Sequence, residues 1–376
     1  MNQAPVIYII TKLELGGAQK VCLSLFHQLQ EKNTRTFLIT GSEGILAQSL
    51  KNNPQVFFLE SFKREIGIKI ILLELKSFYQ MFKIMRTLKK QNPHILVHTH
   101  STKAGLMGRW AAFFAGIKNR IHTIHGHAFN DHHPWYAWWP IYLLELTTSL
   151  ITTHFICVST ADSTIGKKLF PFFARKYSLI RAAVDFPLYI PAHKDTQVQH
   201  TIFIFGTLAC FKPQKNLFDL LRAFEKAYQH IPQLRLEILG DGILRTQIEQ
   251  WIIEHQLTHV ITLHGWQKNV IPFMQKWHSF ALTSLWEGLP CSVVEARMLK
   301  LPVICYDTGG ISDIIFHKKN GLLYPQKDWQ NFAQGMIECA QNRHLYESLK
   351  NYDDKLIDFY QMTMVQQHYD LYQKLS

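Results

Sequence analysis

Glu287 and Glu295 stand eight positions apart in the run SLWEGLPCSVVEARMLKLPVICYDTGG, residues 284–310. Strands are predicted before the run, at SFALT, and inside it, at PVICY, with a helical stretch between them, which makes a βαβ unit. Pro290 suits the first position of that helix, where a missing N–H costs nothing, and Ser292 falls in its first turn. The N–H groups of that turn, together with the turn at Gly288, face the carboxyl edge of a sheet and attract an anion. Glu287 precedes the helix and Glu295 lies in its second turn, so one carboxylate lines the mouth of a cleft and the other its wall. Carboxylates repel phosphate, so their presence beside an anion site calls for a ligand that also offers hydroxyls. A nucleotide sugar offers both. The alternative is a solvated loop residue at Glu287 and a helix-surface charge at Glu295.

The same run, with GLP after the first acid, EA at the second and TGG beyond, resembles the E-x7-E motif of the retaining family-4 glycosyltransferases of GT-B fold. Further motifs carry the resemblance along almost the whole chain. FGTLACFKPQKN is similar to that family's phosphate-binding run GTVGRLxPQKN, which puts Lys215 on the diphosphate lysine. Cys210 stands where arginine is usual, and Lys212, two residues on, offers a point charge without the planar fork. HGWQKNV resembles the turn beside the nucleotide base, at Gly265 and Trp266; a plain strand-to-helix connection is the alternative. LIRAAVD is similar to a strand and turn ending in NGVD, with Ala182 and Ala183 replacing the asparagine and glycine. HG after the fifth strand places His125 on a histidine near the donor sugar and the acceptor; a packing histidine is the alternative.

The resemblance implies an α/β fold of GT-B type, two Rossmann-like domains with a cleft between them, and transfer of a sugar with retention from a nucleotide-diphosphate donor to a saccharide or lipid-linked acceptor. It implies that Lys215 and the amides near Gly288 and Leu289 stabilise the departing diphosphate, that Glu287 holds sugar hydroxyls and that Glu295 holds the ribose. Gly16 and Gly17 would approach the phosphates from the other domain. His125, Glu287 and Lys215 are the expected catalytic residues, and no metal or other cofactor is expected.

Around these residues, alternating strands and helices from VIYII to YSLIR predict a parallel sheet covered on both faces, whose ligands bind at the carboxyl ends of the strands. Gly16 and Gly17 follow the first strand in LGGAQ, where backbone can approach a ligand closely; a tight turn is the alternative. Histidines crowd the same edge: His94, His98, His100, His122, His125, His127, His132 and His133. No HExxH helix or Cys/His knuckle frames them, and His98, His100, His122 and His125 fall at or near strand ends, where they suit a polar cleft lining. A long helix from about Ile66 to Lys90 carries Lys63, Arg64, Lys69, Lys76, Lys83, Arg86, Lys89 and Lys90 on or beside it against Glu65 and Glu74. With the aromatic knot FNDHHPWYAWWPIYLL it suits either an anionic membrane surface or a core helix with a solvated basic side. Periodicity vanishes at residues 185–200, the expected linker. The expected domains are 1–184 for the acceptor and 201–355 for the nucleotide sugar, with 356–376 a last helix crossing back to the first.

Composition bounds the rest. The chain has 376 residues, 47% hydrophobic, enough for two domains. Its formal charge of +12 asks for an anionic partner. Nucleic acid is not expected, because no helix-turn-helix, finger or RNP pattern appears. Six cysteines without a CxxC pair read as buried thiols of a reducing compartment. No signal peptide and no apolar run of spanning length are seen, the best candidate being broken by Pro140 and Glu145. The expected location is therefore the cytoplasm, at the inner face of the cell membrane where the positive charge meets anionic lipid. A nucleotide-sugar 2-epimerase and a non-catalytic binding protein are the alternatives. LEILGDG lacks the third glycine of a dinucleotide-binding fingerprint.

Overall fold

The long apolar runs of the sequence become interior strands. A computed structural model describes residues 4–63, 71–127, 135–185 and 202–376. The expected linker from residue 186 onward, the start of the long basic helix, and His132 and His133 lie outside the described residues. Chain contacts divide the protein into two units: Met1–Ala183 with Gln361–Ser376, and Val184–Tyr360.

In the first unit the strands are β1 (Val6–Ile10), β2 (Thr36–Gly41), β3 (Val56–Leu59), β4 (Leu96–His100), β5 (Arg120–Ile124), β6 (His154–Cys157) and β7 (Tyr177–Leu179). They pair in the order β3-β2-β1-β4-β5-β6-β7, parallel throughout. Every residue of β1, β2 and β4 is buried, which is why VIYII and its neighbours read as unbroken apolar runs rather than alternation. The helices are α1 (Gly17–Glu31), α2 (Ile71–Gln91), α3 (Thr102–Phe114), α4 (Trp135–Ile151) and α5 (Thr160–Leu169). The last helix of the chain packs against α1. Its Tyr372 hydroxyl lies 3.2 Å from that of Tyr8 in β1, and its Gln361 donates to Ser24.

In the second unit the order β10-β9-β8-β11-β12-β13 is again all parallel. The strands are β8 (Phe203–Leu208), β9 (Leu234–Leu239), β10 (Ile261–Gly265), β11 (Ser279–Leu282), β12 (Val303–Tyr306) and β13 (Gly321–Tyr324). The helices are α6 (Leu217–His230), α7 (Arg245–Glu254), α8 (Ile271–Met274), α9 (Cys291–Met298), α10 (Trp329–Gln341) and α11 (Arg343–Lys350), and α12 (Gln361–Leu375) is the helix returned to the first unit. Helix α6 buries Leu217, Leu220, Leu221, Phe224 and Ala227, one helical face, against the sheet and α10. Each large apolar side chain so buried contributes about 1.5–3 kcal/mol. In both sheets the strand order reverses beside the first strand, between β1 and β4 and between β8 and β11, and connections on the two sides leave in opposite directions. That divergence opens a crevice at the carboxyl edge of each sheet.

Candidate active site

Lys215 and Glu287 meet where the second sheet reverses. The loop after β8 carries Lys215 in a short helical turn, Pro213–Lys215, and the loop after β11 carries Glu287. The Lys215 ammonium donates to Glu287 Oε1, both side chains being largely buried. Backbone and side-chain bonds clamp the two loops together. Leu285 N–H donates to the Gln214 carbonyl at 2.8 Å, Gln214 Nε2 donates to the Trp286 carbonyl at 2.8 Å, and the Thr283 hydroxyl donates to the Asn216 carbonyl at 2.9 Å. The pair is thus held by three consecutive residues of one loop, Gln214, Lys215 and Asn216, against the stretch from Thr283 to Glu287 of the other, not by two flexible tips.

A third loop supports the second. After β12, Gly310 N–H donates to the Gly288 carbonyl at 2.7 Å, and the Thr308 hydroxyl donates to the Leu285 carbonyl at 3.1 Å. Gly309 has φ +54°, and a Cβ there would stand 1.9 Å from the Glu287 carbonyl oxygen. Only glycine fits that contact. On the other side, Gly240 N–H donates to the Gly265 carbonyl at 2.8 Å and Phe211 N–H to the Asp241 carbonyl at 2.9 Å, which ties the loops after β9 and β10 to the loop of Lys215. Gly265 ends β10 with φ +68°, and Trp266 beyond it is 44% exposed, a ring surface open to a planar ligand.

Helix α9 begins at Cys291, one residue later than the sequence suggested. Pro290 is the cap: its ψ of 104° is extended, while its carbonyl already accepts from Val293 N–H at 3.0 Å. Gly288 and Leu289 precede this cap in the turn that also carries Glu287. Glu295, in the second turn, is buried, which removes the helix-surface alternative. Glu287 is likewise no solvated loop residue. Cys210 is partly buried, and Lys212 stands at the head of the turn that leads to Lys215, partly exposed and without an ion pair among the described residues.

The first unit gathers its candidates at the carboxyl edge of its own sheet. Gly16 caps α1 with extended backbone and Gly17 is its exposed first residue. A Cβ at Gly16 would meet only the flexible tip of Gln19, so internal packing does not demand glycine there. The loops after β1 and β4, at the reversal, are joined by the Thr11 and Ser101 hydroxyls 3.0 Å apart.

Of the histidines expected to line a polar cleft, His98, His100 and His122 are buried in the sheet instead, while His125 stays partly exposed at the carboxyl edge. His98 and His122 point into the unit from the middle of β4 and β5, because those strands are buried on both faces. His98 bonds to Thr123 at 2.6 Å and to Tyr372 of α12, and its ring stacks on His368. His122 bonds to Thr99 at 2.9 Å. His100, at the end of β4, is buried, and its Nδ1 lies 3.0 Å from Nε2 of His125. Burial, then the charge of His368, holds His125 down at about 3, and burial with neighbouring histidines keeps His98 and His100 well below the ordinary imidazole range. These rings are neutral at neutral pH. No group of three or more metal-binding side chains among the described residues is placed to hold an ion.

Sequence reasoning passed over Gln214 and Gly309, which clamp the Glu287 turn. Both were visible inside the PQKN and TGG runs, but their contacts span loops that only the fold brings together.

Comparison with known proteins gives one answer for both units. Residues 15–186 match the description Glycosyltransferase Family 4, and residues 191–356 match Glycosyl transferases group 1. An Escherichia coli UDP-Gal:alpha-D-GlcNAc-diphosphoundecaprenol alpha-1,3-galactosyltransferase is 27% identical over 92% of this chain and 90% of its own length. The O-antigen biosynthesis glycosyltransferase WbnH of Escherichia coli is 26% identical over 84% of each chain. The crystal structure of Anabaena HepE with UDP and glucose superposes with a TM-score of 0.80 at 18% identity, over 99% of this chain and all of that one.

Proposed function

The chain belongs to the glycosyltransferases, with a family-4 and a group-1 domain in the GT-B fold, and on that premise we propose that it moves a sugar, with retention, from a nucleotide-diphosphate donor to a lipid-linked or saccharide acceptor in synthesis of a bacterial surface polysaccharide. The observation that carries this reading is the meeting of Lys215 and Glu287 at the reversal of the second sheet, clamped by three glycine-containing loops. A cation and the N–H groups of the turn at Gly288 and Leu289 offer positive charge to a diphosphate. The carboxylates of Glu287 and Glu295 offer acceptors to hydroxyls of the sugar and the ribose. Lys212 adds a second cation in place of the arginine that Cys210 lacks. Gly265 and Trp266 supply the turn and ring for the base.

In the step proposed, the bond from the anomeric carbon to the diphosphate oxygen breaks as the acceptor hydroxyl bonds to the same face of that carbon. The hydroxyl proton passes to the departing phosphate oxygen, so no protein base is needed. Lys215 and the loop amides act on charge that grows on the diphosphate, where fixed dipoles are most effective. Neutral His125 and the Gly16–Gly17 turn are assigned to sugar and phosphate contacts of the first unit. The step as proposed calls on no metal.

The bound UDP of HepE and the UDP-sugar in the name of the Escherichia coli relative support a UDP-sugar as the first donor to try. The relatives named above are transferases, which favours transfer over epimerisation. The test is a thermal-shift screen of UDP-, GDP- and ADP-sugars followed by NMR of the product. A donor that raises the melting temperature and gives a product of unchanged anomeric configuration supports the proposal. An inverted anomer, or conversion of the donor with no acceptor present, contradicts it.

A further inference from the structure

Helix α4 is apolar on both sides. Its inner side packs Trp138, Ile141, Tyr142 and Leu146 against the core and also buries Glu145, Thr148 and Ser149, where Arg109 of α3 donates to Glu145 at 2.7 Å and Trp110 Nε1 donates to Thr148 at 2.9 Å. Its outer side is apolar, with Trp135 76% exposed, Tyr136 67%, and Trp139, Leu143, Leu144 and Leu150 each more than half exposed. A helix facing water is polar on that side. The buried Arg109–Glu145 pair fixes which side turns outward, since rotating α4 would strand a guanidinium.

Helix α2 adds charge to the same face. Leu72, Leu75, Tyr79, Lys83, Arg86 and Lys90 follow one another at steps of three and four, a single stripe about 27 Å long, and all are exposed. Its first half is apolar and its second half basic. Right-handed crossovers put α2, α3 and α4 on one face of the sheet, α3 touching both neighbours, and α2 and α4 each begin at the carboxyl edge.

We propose that this face docks on a bilayer containing anionic lipid, with the aromatic and leucine side chains at the acyl boundary and the α2 basic stripe on the headgroups. Trp and Tyr favour that boundary, and no described helix is long and apolar enough to cross a membrane, so the helices lie on the surface. A second copy of the chain suits the face less well, because a formal charge of +12 would set like stripes against each other. The inference rests on the proposed transfer for its purpose, since docking would bring the carboxyl edge to a lipid-linked acceptor.

The test is co-sedimentation of the full chain with phosphatidylcholine vesicles and with vesicles of phosphatidylcholine and phosphatidylglycerol. Binding to the second, released by salt, is expected. Lys83→Glu with Arg86→Glu should lower partitioning roughly twentyfold or more, each basic side chain near an anionic surface contributing roughly fivefold. Leu72→Asp with Trp139→Asp should abolish it with the melting temperature unchanged; if that pair misfolds, Leu75→Gln with Leu143→Gln takes its place. Equal binding to both vesicles, binding to neither, or a dimer in sedimentation velocity that the apolar variants dissolve would overturn the inference. UDP binding followed by thermal shift separates the two readings: docking lost with donor binding kept refutes the surface alone, and docking without any nucleotide-sugar binding refutes the transfer alone.

Discussion

Lys215 and Glu287 lie 72 positions apart and meet only because β8 and β11 are neighbours in the sheet. The contact of Gly309 with the Glu287 carbonyl makes a sharp prediction. Gly309→Ala puts a methyl at 1.9 Å from that oxygen on a backbone of positive φ, so the turn must move. We expect kcat/KM to fall by roughly a hundredfold or more, with a stability loss of about 1–3 kcal/mol by urea melts; near-normal kinetics would show that the turn does not position Glu287. The histidines give a second. His125 is held near 3 and His368 near 4, whereas both bind protons near 6.5 when unfolded. The unfolded state therefore takes up protons first as pH falls, so stability present above pH 6.5 is lost on the way down to about 4, by up to about 1.4 kcal/mol per pH unit for each group. Urea melts across that window would show the slope, and a flat profile would contradict the buried network. The acids and the lysine were legible because their motifs are local. The histidine network was not, because His368 and Tyr372 reach His98 from a helix near the far end of the chain.

At the scale of elements, α9 is short, and its place is fixed at the C-terminal end by Arg297. The guanidinium is buried, donates to Asp354 Oδ2 at 2.7 Å and to the Leu301 carbonyl at 2.6 Å, and Asn320 also donates to Asp354. Asp354→Ala leaves that charge uncompensated. It should destabilise the protein by about 3–5 kcal/mol in chemical denaturation, whereas Asp354→Asn should cost less; equal stability of both with the wild type would mean that α9 is anchored elsewhere. The βαβ reading of this region followed from apolar runs broken by Gly and Pro. The helix start was read one residue early, because proline at a first helical position and proline at a cap look alike until ψ is known. Helix α2 was visible as a basic amphipathic stretch, but the polar groups buried among the apolar inner side chains of α4 were hidden. Its Glu145 reads as an interruption of an apolar run until Arg109 is seen beside it.

For the molecule as a whole, parallel sheets covered on both faces were implied by strand and helix alternation, and strand order with its reversal points was not, since periodicity carries no record of which strands are adjacent. The same fold recurs in HepE at 18% sequence identity, and fold leaves donor and acceptor to the site. The central claim is that Lys215 stabilises a departing nucleoside diphosphate. It is tested most directly by single-turnover release of UDP from a UDP-sugar, with and without acceptor, in the wild type and in Lys215→Ala. The account predicts acceptor-dependent release in the wild type and a fall of roughly a hundredfold to a thousandfold in the variant, with folding unchanged. Release at the wild-type rate from a folded Lys215→Ala protein would contradict it.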